Sequence, residues 1–164
     1  MRDQYAGDVS DYLKFAFLSQ VTTPSDALGV AWWYLDGHDG RADGRHDEYL
    51  DDPTWAALDP VLFAKLARRP ARSVAALETL DIWPAPTVFH REPVPGRSGR
   101  AAWAEALEAA MADASIVFVD PDNGVSRPEV VTPKSATEDE VRALAANGRC
   151  ALLIRFPDRT AKHP

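Results

Sequence analysis

Two short apolar runs, Gly29-Val-Ala-Trp-Trp-Tyr-Leu35 and Ser115-Ile-Val-Phe-Val119, constrain the fold of this chain more than any other feature. A strand with one face in water alternates apolar and polar residues. A near-continuous apolar run suits a strand covered on both faces, as in a parallel sheet. Helical spacing surrounds both runs. Ser10 is placed to cap a helix over 11–20, with Leu13 and Phe17 one turn apart toward a core. The pattern returns over 60–66 and 72–80, closed by Pro84 and Pro86, and a short strand, Thr87 to His90, follows. Trp103, Leu107, Ala110 and Met111 recur at i, i+4, i+7 and i+8, the stripe of a helix laid on a sheet. A last helix over 137–147 has Glu138, Asp139 and Glu140 in its first turn and Gly148 after its end. A last strand covers 150–156. This alternation predicts an α/β, Rossmann-like fold: one domain over 1–164, a small, mostly parallel sheet and helices on both faces. About four strands are legible. Either a partner chain, such as a second copy in a homodimer, completes the sheet, or the chain is truncated at its C-terminal end.

The net charge of −7 is unevenly placed. Residues 1–52 hold eleven acidic side chains against four basic ones, and the remainder holds fourteen of each. An acidic surface repels phosphate, which disfavours broad capture of nucleic acid, although Arg68, Arg69, Arg72, Arg91, Arg97 and Arg100 could form a local basic patch or simply solvated faces. The single cysteine, Cys150, opens an apolar run and reads as a small buried residue of a reducing compartment, so the expected location is cytoplasmic. No apolar stretch approaches the length of a membrane span, which predicts no membrane association.

Both apolar runs end in acidic loops. The first continues into Asp36-Gly-His-Asp-Gly-Arg-Ala-Asp-Gly-Arg-His46, the second into Asp120-Pro-Asp-Asn-Gly124. Gly, Asp, Asn and Pro also build ordinary turns, and Gly7-Asp8-Val9-Ser10-Asp11 suits a helix cap. In a parallel sheet, however, loops following the strands share one edge, where open α/β sheets bind ligands, so Asp36, His38 and Asp120 are expected in one crevice. Carboxylates at 36, 39, 43, 120 and 122, with His38 and His46, also form a donor set for a divalent metal. A metal-dependent phosphoesterase or nuclease would use that ion to activate water, with Lys14 or Lys134 facing the phosphate. A non-catalytic binding or accessory role on a degenerate scaffold is the third option.

Three segments in order, Gly7-Asp8-Val9-Ser10-Asp11-Tyr12-Leu13-Lys14-Phe15, Tyr34-Leu35-Asp36-Gly37-His38-Asp39-Gly40 and Val119-Asp120-Pro121-Asp122, resemble motifs of S-adenosylmethionine-dependent methyltransferases similar to the bacterial 23S rRNA adenine-N6 methyltransferase. That family carries Gly-Asn-X-Ala-Asp-X-X-Lys-His, Tyr-Leu-Asp-Thr-His-Ala-Gly after its first strand and Asp-Pro-Pro-Tyr at its fourth. The chain also looks like a group of small bacterial proteins with Gly-Asp-Val-Gly-Asp-X-X-Lys and Asp-Pro-Asp-Asn-Gly. The resemblance implies a methyltransferase-like protein with S-adenosylmethionine as cofactor and an unknown acceptor. Asp36, His38 and Gly40 would lie along the methionine and ribose of the cofactor, and Asp11 and Lys14 would close its other side, with Lys14 available to the methionine carboxylate. Asp120 would hold the target amine, with Asp122 and Asn123 beside it at the catalytic position. The chain departs from the pattern in three ways: Ala42 stands for a loop glycine, Asp122-Asn123 replaces Pro-Tyr, and no acidic residue is evident at the end of a second strand to hold the ribose.

Overall fold

The computed structural model describes residues 1–38, 40, 46–84 and 86–154. Helix α1 (Val9–Val21) starts earlier than expected, because Asp8 caps it: its carboxylate accepts the Asp11 amide at 3.0 Å. Ser10 therefore lies inside the helix, and one of the amides left open at the helix start finds its acceptor in Asp8. The chain then runs through β1 (Leu28–Trp32), α2 (Pro53–Ala56), α3 (Pro60–Ala67), α4 (Val74–Glu78), β2 (Thr87–His90), α5 (Arg100–Ala110) and β3 (Ile116–Asp120). Two two-residue strands, β4 (Val125–Ser126) and β5 (Ala136–Thr137), precede α6 (Glu138–Leu144) and β6 (Cys150–Leu153).

The four longer strands form one parallel sheet in the order β2-β1-β3-β6. Along β1, Val30 and Trp32 face the layer of α1, α3 and α4, where they meet Phe15, Leu18, Leu66 and Leu77. Ala31 faces the other layer, where Trp103, Leu107 and Met111 from the α5 segment and Leu144 of α6 pack. The two-residue period of a strand thus feeds two cores, which is why the run carries no polar residue. The α/β architecture and its Rossmann-like parallel sheet agree with the sequence reading, and no described helix is long and apolar enough to cross a membrane.

Several expectations need correction. Leu13 and Phe17 are each 50% exposed; the buried positions of α1 are Asp11, Tyr12, Lys14, Phe15 and Leu18. Two charged residues inside the buried stripe disguised it, so the more apolar flank was read as the core side. Cys150 is exposed, at the start of a strand that pairs with β3 alone among the described strands. The first apolar run leaves the sheet at Trp32, yet Trp33 and Leu35 remain buried. Their backbones pair elsewhere: Leu35 donates to the Met1 carbonyl at 2.9 Å, and the Tyr34 carbonyl accepts from Val94 at 2.8 Å. The last helix ends at Leu144, before the left-handed pair Asn147 (φ 58°) and Gly148 (φ 80°). Residues 155 and 156 of the expected last strand lie outside the described residues.

Gly29 is needed for close packing of β1. A Cβ there would overlap Met111 Sδ and lie 3.2 Å from Ala114 Cβ. Overpacking of this kind typically costs about 1–3 kcal/mol, and Gly29→Ala should lose stability in that range by urea denaturation. Because Met111 is the obstacle, the double variant with Met111→Ala should be less destabilised than the two single losses added, by at least about 0.5 kcal/mol. Strict additivity would show that the strand shifts instead.

Candidate functional site

From β1 the chain crosses to β2 on one side, then returns past β1 to β3 on the other. The carboxyl ends of β1 and β3 therefore flank the topological switch point, where open parallel sheets leave a crevice. Asp120 ends β3 there, in register with Trp32. Its carboxylate meets the Lys14 ammonium at 2.8 Å, and that ammonium also contacts Asp11 Oδ1 at 3.1 Å. All three side chains are nearly closed to solvent: Asp11 is 1% exposed, Asp120 3% and Lys14 7%. The other Asp11 oxygen accepts the Gly7 amide at 2.8 Å, at a glycine with φ +76°, and the Tyr49 hydroxyl donates to the Gly7 carbonyl at 3.1 Å. A turn in this left-handed conformation is where glycine is least strained.

The electrostatics of this trio follow from burial. Desolvation pushes the Asp11 carboxyl up to about 6 even though Lys14 pulls it down, and burial likewise raises Asp8. Burial alone would lower Lys14, but Asp120 and Asp11 outweigh it and hold the ammonium charged far above its ordinary range. Lys14 is thus the counter-charge that two buried carboxylates share. Among the described residues no group of three His, Cys, Asp or Glu side chains could hold a metal ion; Asp39 and Asp43 lie outside them.

Above this buried layer the N-terminal segment crosses the crevice. The Met1 amino group donates to the Trp33 carbonyl at 2.6 Å and pairs with the Asp122 carboxylate at 2.7 Å. Arg2 clamps the loop after β1 through the carbonyls of Asp36 (2.8 Å) and Gly37 (2.9 Å). Asp36 itself is exposed and stands between two clefts. One, about 430 Å³, is lined by Tyr34, Asp36, Glu78, Arg91 and Glu92 among others, and Arg91 pairs with Glu78 at 3.1 Å. The other, about 540 Å³, is lined by Arg2, Leu35, Asp36, Val94, Asn123 and Lys134 among others.

The far wall of the second cleft is fixed from behind. Asn123 donates its amide to the Lys134 carbonyl at 2.9 Å, and Ala136 donates to Gly124 at 3.1 Å, closing the segment between β4 and β5. Trp33 Nε1 reaches the Ser135 carbonyl at 3.1 Å. The buried Arg100 guanidinium binds the carbonyls of Ser135 (2.8 Å) and Thr132 (3.3 Å) and both carboxylate oxygens of Glu140. It also lies over the rings of Trp33 and Trp103, at 5.3 and 4.9 Å from their centroids.

The structure thus brings Asp11, Lys14 and Asp120 into one buried cluster, and Asp36 and Asn123 into one cleft. Asp122 is held by the Met1 amino group. His38 and Gly40 are exposed and bonded to each other, the imidazole Nδ1 accepting the Gly40 amide at 3.0 Å. Sequence reasoning missed Glu92, which lies two residues beyond β2 and lines the first cleft, in the place where an acidic residue seemed lacking. A four-residue edge strand is too short to locate its own end by pattern, although Arg-Glu-Pro directly after an apolar run was a usable signal. It also left Arg2 and Arg100 without a role, since their partners are backbone carbonyls and Glu140, far away in sequence. The chain was compared with protein-family models, curated proteins and solved structures, and it matches none of them.

Proposed function

We propose that this chain is a methyltransferase-like protein that binds S-adenosylmethionine in the crevice at the carboxyl ends of β1, β2 and β3. The observation that carries the reading is the contact of Lys14 with both Asp11 and Asp120, which joins the first and third of the motifs shared with that enzyme family. The donor set suits such a cofactor. Glu92 and Asp36 line one cleft beyond β2 and β1, where carboxylates can accept from ribose hydroxyls. When bound, the cofactor supplies an electrophilic methyl group. Asp120 accepts a hydrogen bond from the acceptor amine and fixes its direction, while the contact with Lys14 holds the Asp120 side chain in place. Positioning of this kind is the main contribution a protein makes to a direct displacement.

Calorimetry with S-adenosylmethionine and S-adenosylhomocysteine tests the reading. The wild type should bind both, Glu92→Ala should bind at least about tenfold more weakly through loss of charge-assisted hydrogen bonds, and Asp120→Asn should bind nearly as well as the wild type. No heat from folded protein at millimolar ligand would remove the assignment.

A further inference from the structure

Met1 occupies the switch point of the sheet, the place where open parallel sheets bind ligands. Backbone phase fixes the side of β1 on which it sits. The Ala27 carbonyl accepts from Ser115 and Ile116 at the start of β3, whereas the Leu28 amide donates to the Pro86 carbonyl ahead of β2, and the Tyr34 carbonyl accepts from Val94 beyond β2. Odd-numbered residues of this segment therefore turn their backbone groups toward β3 and even-numbered ones toward β2. Trp33 and Leu35 belong to the β3 side, yet the register of the two strands ends before them, at Trp32 and Asp120. Met1 takes their bonds instead. Its amino group donates to the Trp33 carbonyl at 2.6 Å, and its carbonyl accepts the Leu35 amide at 2.9 Å. The same amino group pairs at 2.7 Å with Asp122, two residues past the end of β3. One residue thus replaces β3 as the partner of β1 and fills the gap where the strands part.

This wedge closes the site. Met1 is 4% exposed, and its side chain joins the core on the α1 side. Asp120, in the last register pair before the wedge, and Lys14 are both buried, so in this conformation no ligand reaches either side chain. Arg2 adds its hold on the carbonyls of Asp36 and Gly37. The next residue is anchored independently: Asp3 accepts the Tyr34 hydroxyl at 3.1 Å and the Val74 amide at 2.9 Å. Residues 1 and 2 can therefore leave the crevice while Asp3 stays in place, without unfolding α1 or the sheet, and chain ends are the parts of a fold that open at least cost. Their departure uncovers the Trp33 carbonyl, the Leu35 amide and the Asp122 carboxylate, polar groups that an incoming ligand then satisfies.

We propose that Met1 and Arg2 form a gate, closing the switch-point crevice in the free protein and withdrawing when the cofactor enters. That the cofactor is S-adenosylmethionine rests on the function proposed above; the wedge itself does not. A closed form that dominates the free protein lowers the apparent affinity for whatever binds the open one, so weakening the wedge tightens binding. Loss of a side chain that touches the ligand has the opposite sign.

The chain holds two methionines, and Met111 is buried in the other layer of the fold, so methyl-labelled methionine reports the gate beside an internal reference in NMR spectra. S-adenosylhomocysteine should move the Met1 methyl signal toward that of free methionine in step with saturation and leave Met111 in place. Asp122→Asn and Arg2→Gln, each weakening a different hold, should move the Met1 signal the same way without ligand and bind S-adenosylhomocysteine at least about threefold more tightly than the wild type. Weaker binding by Asp122→Asn would make Asp122 a ligand contact and overturn the gate. Saturation that leaves the Met1 signal where it was also overturns it, while the methyltransferase reading stands. Binding by the variants alone upholds both. If none of the three proteins binds at millimolar ligand, that reading falls and the gate falls with it.

Discussion

Lys14→Met should cost about 3–5 kcal/mol of stability, because it leaves Asp11 and Asp120 facing each other without their counter-charge. Methionine fills the volume of the lysine stem, so the loss reports the stranded carboxylates rather than a cavity. The deficit should also depend on pH in a definite direction. Asp11 has its folded carboxyl raised to about 6 from an ordinary 3.8, so its contribution to stability is fully present below pH 3.8 and is lost as pH rises through about 6. Without Lys14 that carboxyl rises further, and the variant keeps losing stability above pH 6 where the wild type has levelled off. Urea titrations should therefore show a larger gap between the two proteins at pH 7 than at pH 4.5. A gap that is constant across this range, or below about 1 kcal/mol at neutral pH, would mean that water reaches the pair and that Asp120 is not held as described.

The fold was legible where burial is two-sided. The apolar runs at 29–35 and 115–119 carry the two central strands, although the first leaves the sheet at Trp32, and the helices between them announced themselves by period. Legibility failed wherever a polar residue is buried for a local reason. Asp11 and Lys14 lie on the inner stripe of α1, so a reading that equates inside with apolar turned the helix by almost half a revolution and placed Leu13 and Phe17 in the core. The same failure explains Arg100, which is 4% exposed yet looked like one member of a solvated basic set. The candidate site was half legible. Its acidic loops could be placed at one edge by topology alone, but which carboxylate meets which cation depends on contacts across more than a hundred residues, and no local spacing encodes them. Glu92 and Lys134 belong to that non-local half: each matters only because the sheet order sets the ends of β2 and β3 on either side of β1.

Arg100→Met should be nearly as damaging as the loss of Lys14, at about 3 kcal/mol or more, and its consequences should reach the cleft. Removing the guanidinium leaves the Glu140 carboxylate, partly buried, with Thr137 as its remaining described partner, whose amide donates at 2.7 Å in the capping box of α6. It also frees the Thr132 carbonyl and leaves that of Ser135 to Trp33 Nε1, loosening the two residues that flank Lys134. Arg100→Lys should rescue little, since an ammonium cannot span two carboxylate oxygens and two carbonyls or lie flat over Trp33 and Trp103. The pH dependence has the opposite sign to that at Asp11. Burial tends to raise the Glu140 carboxyl, but the Arg100 bonds outweigh it and lower it below an ordinary 4.5. This stabilisation is present above pH 4.5 and is lost as pH falls through the depressed value, so the gap between wild type and Arg100→Met should narrow in acid. Glu140→Gln in the Arg100→Met background should recover part of the loss, because the stranded charge is gone, with a coupling energy of about 1–3 kcal/mol in the double-mutant cycle. If the two substitutions are additive, the pair does not hold the 127–137 segment, and the cleft wall must be fixed by Trp33 and the β4–β5 pairing alone.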